Sequence, residues 1–194
     1  QTATTRTATP PEGTSGAWIE AMPGWLFTGR FEETVEADRD YTFTVKMKQQ
    51  VRELTLVIEP TGGSADRIES ITGALSGVAG SLNLESDAHA SPSSIALSFT
   101  KITEGEDAGK WAATVRLLGI MGEGQLLTGM ITYSAGSPGN MPLDSDLTAS
   151  LSSFNTDKKT PLSLTGQVVE TPSGAGFTAT ITDWKKSTGS GTAD

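Results

Sequence analysis

The chain has 194 residues, with 22 glycines, 9 prolines, no cysteine, and 23 acidic against 14 basic side chains for a net charge of −9. The lack of cysteine removes disulfides, thiolate nucleophiles and thiolate metal sites together. The basic residues are scattered, so a phosphate backbone finds no positive footprint and nucleic acid is excluded as a partner.

No apolar run approaches the roughly 20 residues that span a bilayer. No signal-type opening is visible, and Gln1 is not an initiator methionine, so the sequence reads as a processed or truncated product. The length allows one large β-sandwich or two small ones, and the Gly/Pro content suits many short strands joined by tight turns.

Residues Gln1 to Gly16 are rich in Thr, Ala, Pro, Gly and Ser without an apolar period, which predicts a flexible arm unless the segment pairs with something. Arg6 in this arm is a candidate site for a trypsin-like protease. Ala17–Ile19 and Trp25–Val35, broken at Pro23-Gly24, read as edge strands. Residues 1–40 are thus either the remnant of an N-terminal domain or the edge of the only one.

Tyr41 to Met47 has the cleanest alternation in the chain, with Tyr41, Phe43, Val45 and Met47 opposite Thr42, Thr44, Lys46 and Lys48. It predicts a tightly registered strand, because a one-residue slip would expose four large side chains. The stretch Val51 to Ser86 then organises the sheet. Leu54, Leu56 and Ile58 form a half-buried strand ended by Pro60, and Ile68–Leu75 and Leu82–Leu84 follow as two more, separated by Ser76-Gly77-Val78.

Asp87 to Ser94, holding the only histidine, His89, reads as an internal joint. Beyond it, Ile95–Phe99 and Trp111–Leu117 form a long hairpin around the turn Glu104–Gly109, and Leu127–Tyr133 is a further strand. Leu147, Leu151 and Phe154 recur at helical spacing behind a Ser145/Asp146 cap, predicting one short helix near residues 145–154. Leu162–Val169 and Phe177–Trp184 close the sheet. The fold class is therefore all-β, an antiparallel β-sandwich over residues 41–186, with a disordered tail at 187–194.

Chemistry-bearing constellations are sparse. A Ser-His-Asp triad would have to use His89, and the chain contains no Gly-x-Ser-x-Gly elbow, so His89 reads as a solvated loop residue. The clusters Glu104/Glu106/Asp107 and Asp144/Asp146 sit where polar turns are needed, and Asp144-Ser145-Asp146 lacks the ligand count of an EF-hand calcium loop. Distant paired carboxylates remain open to a glycosidase reading. Dinucleotide and Walker fingerprints are absent, and no cofactor or metal is expected. Of four tryptophans, Trp111 heads an apolar strand face, whereas Trp25 and Trp184 are candidate exposed aromatics, which motivates an alternative reading as a carbohydrate-binding surface module.

Taken in order, KMKQQVRELTLVIE (Lys46–Glu59), ALSGVAGSLNL within Ile68–Leu84, WAATVRLLGI (Trp111–Ile120), DLTASLSSFN (Asp146–Asn155) and ITDWKK (Ile181–Lys186) resemble the fimbrillin-related proteins of Bacteroides-type bacteria. These are the major-subunit and anchor/tip fimbrial proteins of FimA/Mfa type. The resemblance covers roughly Tyr41 to Lys186. It implies transthyretin-like sandwich domains, export as a lipoprotein to the outer-membrane surface, and arginine-specific removal of an N-terminal segment. Subunits would then join by strand exchange, with a host or bacterial surface receptor or glycan as a further partner. The implied lipidated cysteine is not among these residues, and the segment after Trp184 lacks the alternating apolar side chains of a donor strand. No active site is needed for such a role.

Overall fold

The computed structural model describes residues 1–10, 16–61, 65–134, 139–173 and 176–186. The expected tail at 187–194 lies outside them. The strands are β1 (Thr2–Thr4), β2 (Thr7–Ala8), β3 (Ala17–Ile19), β4 (Phe27–Thr28), β5 (Lys48–Gln49), β6 (Arg52–Glu59), β7 (Ile68–Asn83), β8 (His89–Lys101), β9 (Trp111–Leu117), β10 (Leu126–Tyr133), β11 (Met141–Asp146), β12 (Leu162–Ser173) and β13 (Gly176–Lys186). One helical turn, α1 (Thr148–Leu151), follows β11.

Eight strands run in the order β7-β10-β11-β13-β12-β6-β9-β8, and β8 pairs back onto β7, so the sheet closes like a barrel. Closure satisfies strand edges that an open sheet would leave bare. Most pairs are antiparallel, as expected, but β6–β12, β11–β13 and β3–β8 run parallel. Period-two patterning cannot distinguish the two directions, because side chains alternate in both.

The inward side chains follow the alternation. Trp111, Ala113, Val115 and Leu117 on β9, Leu54, Leu56 and Ile58 on β6, and Leu127 and Ile131 on β10 all join one continuous buried core. At roughly 1.5–3 kcal/mol for each large side chain, this burial is the main term holding the barrel together. The predicted short helix is present as the single turn α1. Leu147, Leu151 and Phe154 are fully buried beneath it. The predicted Ser145/Asp146 cap is corrected: the N-cap is Leu147, without a side-chain bond, and Asp146 one residue earlier accepts the Thr148 N–H at 2.8 Å.

Two segments predicted as separate strands are one. β7 runs through Ser76-Gly77, where its register on β8 shifts between Leu75 and Val78. Gly77 has φ +68, and a Cβ there would lie 2.7 Å from the Gly124 carbonyl, so only glycine fits this bulge. The predicted joint at 87–94 is likewise corrected. After a turn with Asp87 at φ 57, residues from His89 onward form β8, paired Leu82↔His89 and Val78↔Ser93.

The β7–β8 hairpin thereby overshoots the barrel and offers two free edges. β1 covers the β7 edge, with Thr2↔Asn83, Ala3↔Leu82 and Thr4↔Ser81, and β3, with β2 beside it, covers β8. The predicted flexible arm is therefore corrected for residues 2–4 and 7–8. Backbone pairing, favoured by threonine's β-propensity, orders a segment that has almost no apolar payload.

Candidate functional site

The first candidate surface is the covered β7 edge. β1 contributes one apolar side chain, Ala3, to a small satellite cluster of Val51, Leu82 and Leu118 with Leu26 and Leu84. Backbone bonds do most of the holding: Thr5 N–H donates to the Gly80 carbonyl at 2.8 Å, and Leu84 N–H to Gln1 O at 2.9 Å. Arg6 follows directly, its side chain 81% exposed and only loosely paired with Glu20 at 3.4 Å.

The second is an arm that leaves the body between β4 and β5. Phe27↔Gln49 and Thr28↔Lys48 close its root, while Gln50, buried, donates its backbone N–H to Leu26 O and its amide to Thr28 Oγ1 at 2.7 Å. Beyond the root the two limbs touch through side chains. A Cβ on Gly29 would meet Val45 Cγ1 at 2.6 Å and Met47 Sδ at 2.9 Å, the Phe31 and Phe43 rings lie 4.9 Å apart, and Tyr41 stacks on Phe43 at 5.7 Å. Tyr41 OH accepts the Glu36 N–H at 2.8 Å, and the chain turns at Asp38, φ 60.

The expected strand Tyr41–Met47 is thus corrected: no ladder forms, and Tyr41, Phe43, Val45 and Met47 are 39–56% exposed. The strand expected over Trp25–Val35 shrinks to Phe27–Thr28 for the same reason. Both limbs alternate, but nothing among the described residues covers the apolar side. Trp25 is 48% exposed, with the Arg116 guanidinium 5.6 Å from its ring centroid.

Beside the arm's root lies a cavity of about 380 Å³ lined by Lys48, Asp87, His89, Asn155, Asp157 and Lys158 among others. Lys158 Nζ donates to Leu118 O at 2.7 Å and Gln50 O at 3.1 Å and lies 3.3 Å from His89 Nε2. Burial, with Lys48 nearby, pushes the Lys158 ammonium down to about 8 against a partial pull from Asp87. Burial and the Lys158 charge also lower His89. The predicted solvated loop histidine is therefore corrected: the imidazole lies against Gly119, where a Cβ would overlap the ring. Lys48 binds Asp87 and holds that carboxylate below its ordinary range.

Trp184 does not project into solvent. It packs partly buried against the core, and its Nε1 donates to Ser145 Oγ at 2.9 Å, which in turn donates to Ile181 O. The register shift between Thr165 and Gln167, opposite β13, accompanies this placement. Asp144 and Asp146 alternate with buried Ser145 on β11, Asp146 accepting the Thr148 N–H at the start of α1. Asp107 holds Lys110 at 2.7 Å across its turn. Among the described residues no group of three or more His, Cys, Asp or Glu side chains gathers as a metal site, and no helix is long and apolar enough to cross a membrane.

Comparison with solved structures gives a Bacteroides ovatus protein described as a candidate adhesin, at 15% identity and TM-score 0.50, covering 85% of this chain and 61% of that one. A second from B. ovatus, similarly described, has 12% identity and TM-score 0.51, covering 96% and 72%. The fimbrial anchor protein Mfa2 from Porphyromonas gingivalis aligns at 15% identity and TM-score 0.43 over 84% of this chain and 58% of that one. The chain thus spans about three fifths of the length of the first and of the anchor protein. No curated protein matches. The family of fimbrillin-A associated anchor proteins Mfa1 and Mfa2 matches residues 5–188, nearly the whole chain, and the protein belongs to that family.

Proposed function

We propose that this chain is a non-enzymatic fimbrial subunit or tip/accessory adhesin of the cell surface that assembles by β-strand exchange, with β1 as the exchangeable strand. The observation that carries the reading is the covered β7 edge. A three-residue strand with a single apolar side chain sits over Val51, Leu82 and Leu118, and an exposed arginine follows it. A partner strand placing larger apolar residues at the Ala3 position would gain burial at about 25 cal/mol per Å² while keeping the same ladder bonds. Cleavage after Arg6 would remove β1 from competition. Residence at the outer membrane by a lipid anchor and a transthyretin-like sandwich type belong to the same reading. On the adhesive side, exposed Trp25 beside Arg116 is the surface suited to a receptor or glycan.

The test is limited proteolysis of the folded protein with an arginine-specific protease, followed by incubation with intact fimbrial subunits of the same organism. Release of Gln1–Arg6 and formation of a complex that survives size exclusion are expected. A folded protein that resists cleavage at Arg6, or that is clipped and captures no subunit, would overturn the strand-exchange reading.

A further inference from the structure

We propose that the arm between β4 and β5 is a self-complementary docking element through which two copies of this chain pair antiparallel, the acidic tip of each arm seated at the basic root of the other. This goes beyond the strand-exchange reading and does not depend on it.

The apolar component lies along both limbs. Phe31, Val35, Tyr41, Phe43, Val45 and Met47 are between 39% and 61% exposed, Phe31, Tyr41 and Phe43 being linked by ring contacts and Val45 and Met47 lying by Gly29. A cluster of this kind on a soluble domain marks an interaction surface. Charge decides what covers it. Four carboxylates, Glu33, Glu36, Asp38 and Asp40, gather in the outer half of the arm against Arg39, which pairs with Glu36, whereas Lys46, Lys48 and Arg30, paired with Glu32, stand toward the root.

The cavity beside the root extends the positive end. Its two aspartates are already engaged, Asp87 by Lys48 and Asp157 by the backbone N–H groups of Lys159 and Thr160. Lys158 is held by carbonyls, and among the described residues no carboxylate lies within 4 Å of the Lys158 or Lys159 ammonium. That leaves Lys159, exposed and without a carboxylate within 4 Å among the described residues, as the cation of the root open to a partner's carboxylates in a chain of net charge −9.

Geometry then selects the orientation. From the root pair Thr28↔Lys48 to the turn at Asp38 is ten residues, about 33 Å at roughly 3.3 Å per residue. Two arms laid side by side head to tail bring each tip to the other's root and bury the apolar faces against each other, which is the isologous contact of a two-fold dimer. Parallel arms would set the four tip carboxylates of one arm against the four of the other. The ribbon is narrow and offers less than the roughly 800 Å² per partner of a standard interface, so the pairing is weak and concentration-dependent.

Sedimentation equilibrium of the chain from about 1 to 500 µM in about 150 mM salt reads this directly. Wild type should shift reversibly from monomer to dimer. Glu33→Lys with Asp40→Lys at the tip, or Lys48→Glu with Lys159→Glu at the root, should each weaken association at least tenfold. All four positions are exposed, and circular dichroism with a thermal melt verifies that each variant folds. Because a two-fold pair contains two tip–root contacts, an equimolar mixture of the two variants should restore dimers: one contact is native and the other is charge-swapped. Phe43→Ser with Val45→Ser should abolish association in every background. Wild type that stays monomeric throughout, as it would if the arm docks on a different protein, overturns the proposal. So does a mixture that remains monomeric.

Discussion

The barrel and the arm are written in the same alternation yet end in opposite environments. Trp111, Ala113, Val115 and Leu117 on β9 are at most 6% exposed, while Tyr41, Phe43, Val45 and Met47, the more regular series, are at least 39% exposed. The difference lies in backbone partners. β9 is laddered to β6 over seven residues and to β8 at its start, whereas the arm is laddered only at Phe27–Thr28 and Lys48–Gln49. Alternation therefore specifies which side of an extended segment is apolar. Whether that side is buried is decided by what the rest of the chain, or another molecule, lays over it.

The sharpest way to separate the two regions is to truncate one side chain in each. Leu127→Ala, at a fully buried position of β10, should cost about 3–5 kcal/mol in denaturant unfolding, from lost transfer energy and the residual cavity. Arg52→Ala should cost about 3 kcal/mol. Its guanidinium donates to the carbonyls of Phe154, Thr160 and Ser153, and the loop after α1 would lose all three partners. A melt within about 0.5 kcal/mol of wild type for Arg52→Ala would show that the loop finds other donors.

A smaller effect is expected at the junction between the regions, and it depends on pH. His89 has its folded value lowered from 6.5, so the unfolded chain binds the proton more readily. Stability attributable to His89 is then fully present above about 6.5 and declines as pH falls through 6.5 toward the lower folded value. Lys158 has the same sign at higher pH: lowered from 10.5 to about 8, it makes stability rise between those two values. Unfolding free energy of wild type and His89→Asn from pH 5 to 8 checks the first, the variant showing the flatter profile. Smallest of all should be Phe43→Ser in the arm, within about 0.5 kcal/mol of wild type in the dilute monomer. A loss of 2 kcal/mol or more, on the scale of a core truncation, would place Phe43 in a core.

Legibility from residues alone followed the same division. Strands whose alternation is answered by a neighbour's, such as β6, β9 and β10, could be placed from the sequence, as could the turn of α1 from Leu147, Leu151 and Phe154. The N-terminal strand β1 was not, because its pairing is nearly all backbone and only Ala3 packs inward. The cluster at the arm's root was equally hidden. His89 and Lys158 are 69 residues apart, and the feature that joins them is the missing side chain of Gly119. Trp184 fell on the polar side of its strand, yet a buried serine, Ser145, gives its indole N–H a partner beneath the surface.

The central claim is that the barrel is complete in itself while the arm waits for a partner, and hydrogen exchange of the dilute chain followed by mass spectrometry tests it most directly. Amides of β6, β7 and β9 should be protected to near the global unfolding free energy, and those of residues 29–46 should exchange within seconds. Protection of residues 29–46 comparable to that of β9 under those conditions would contradict the account.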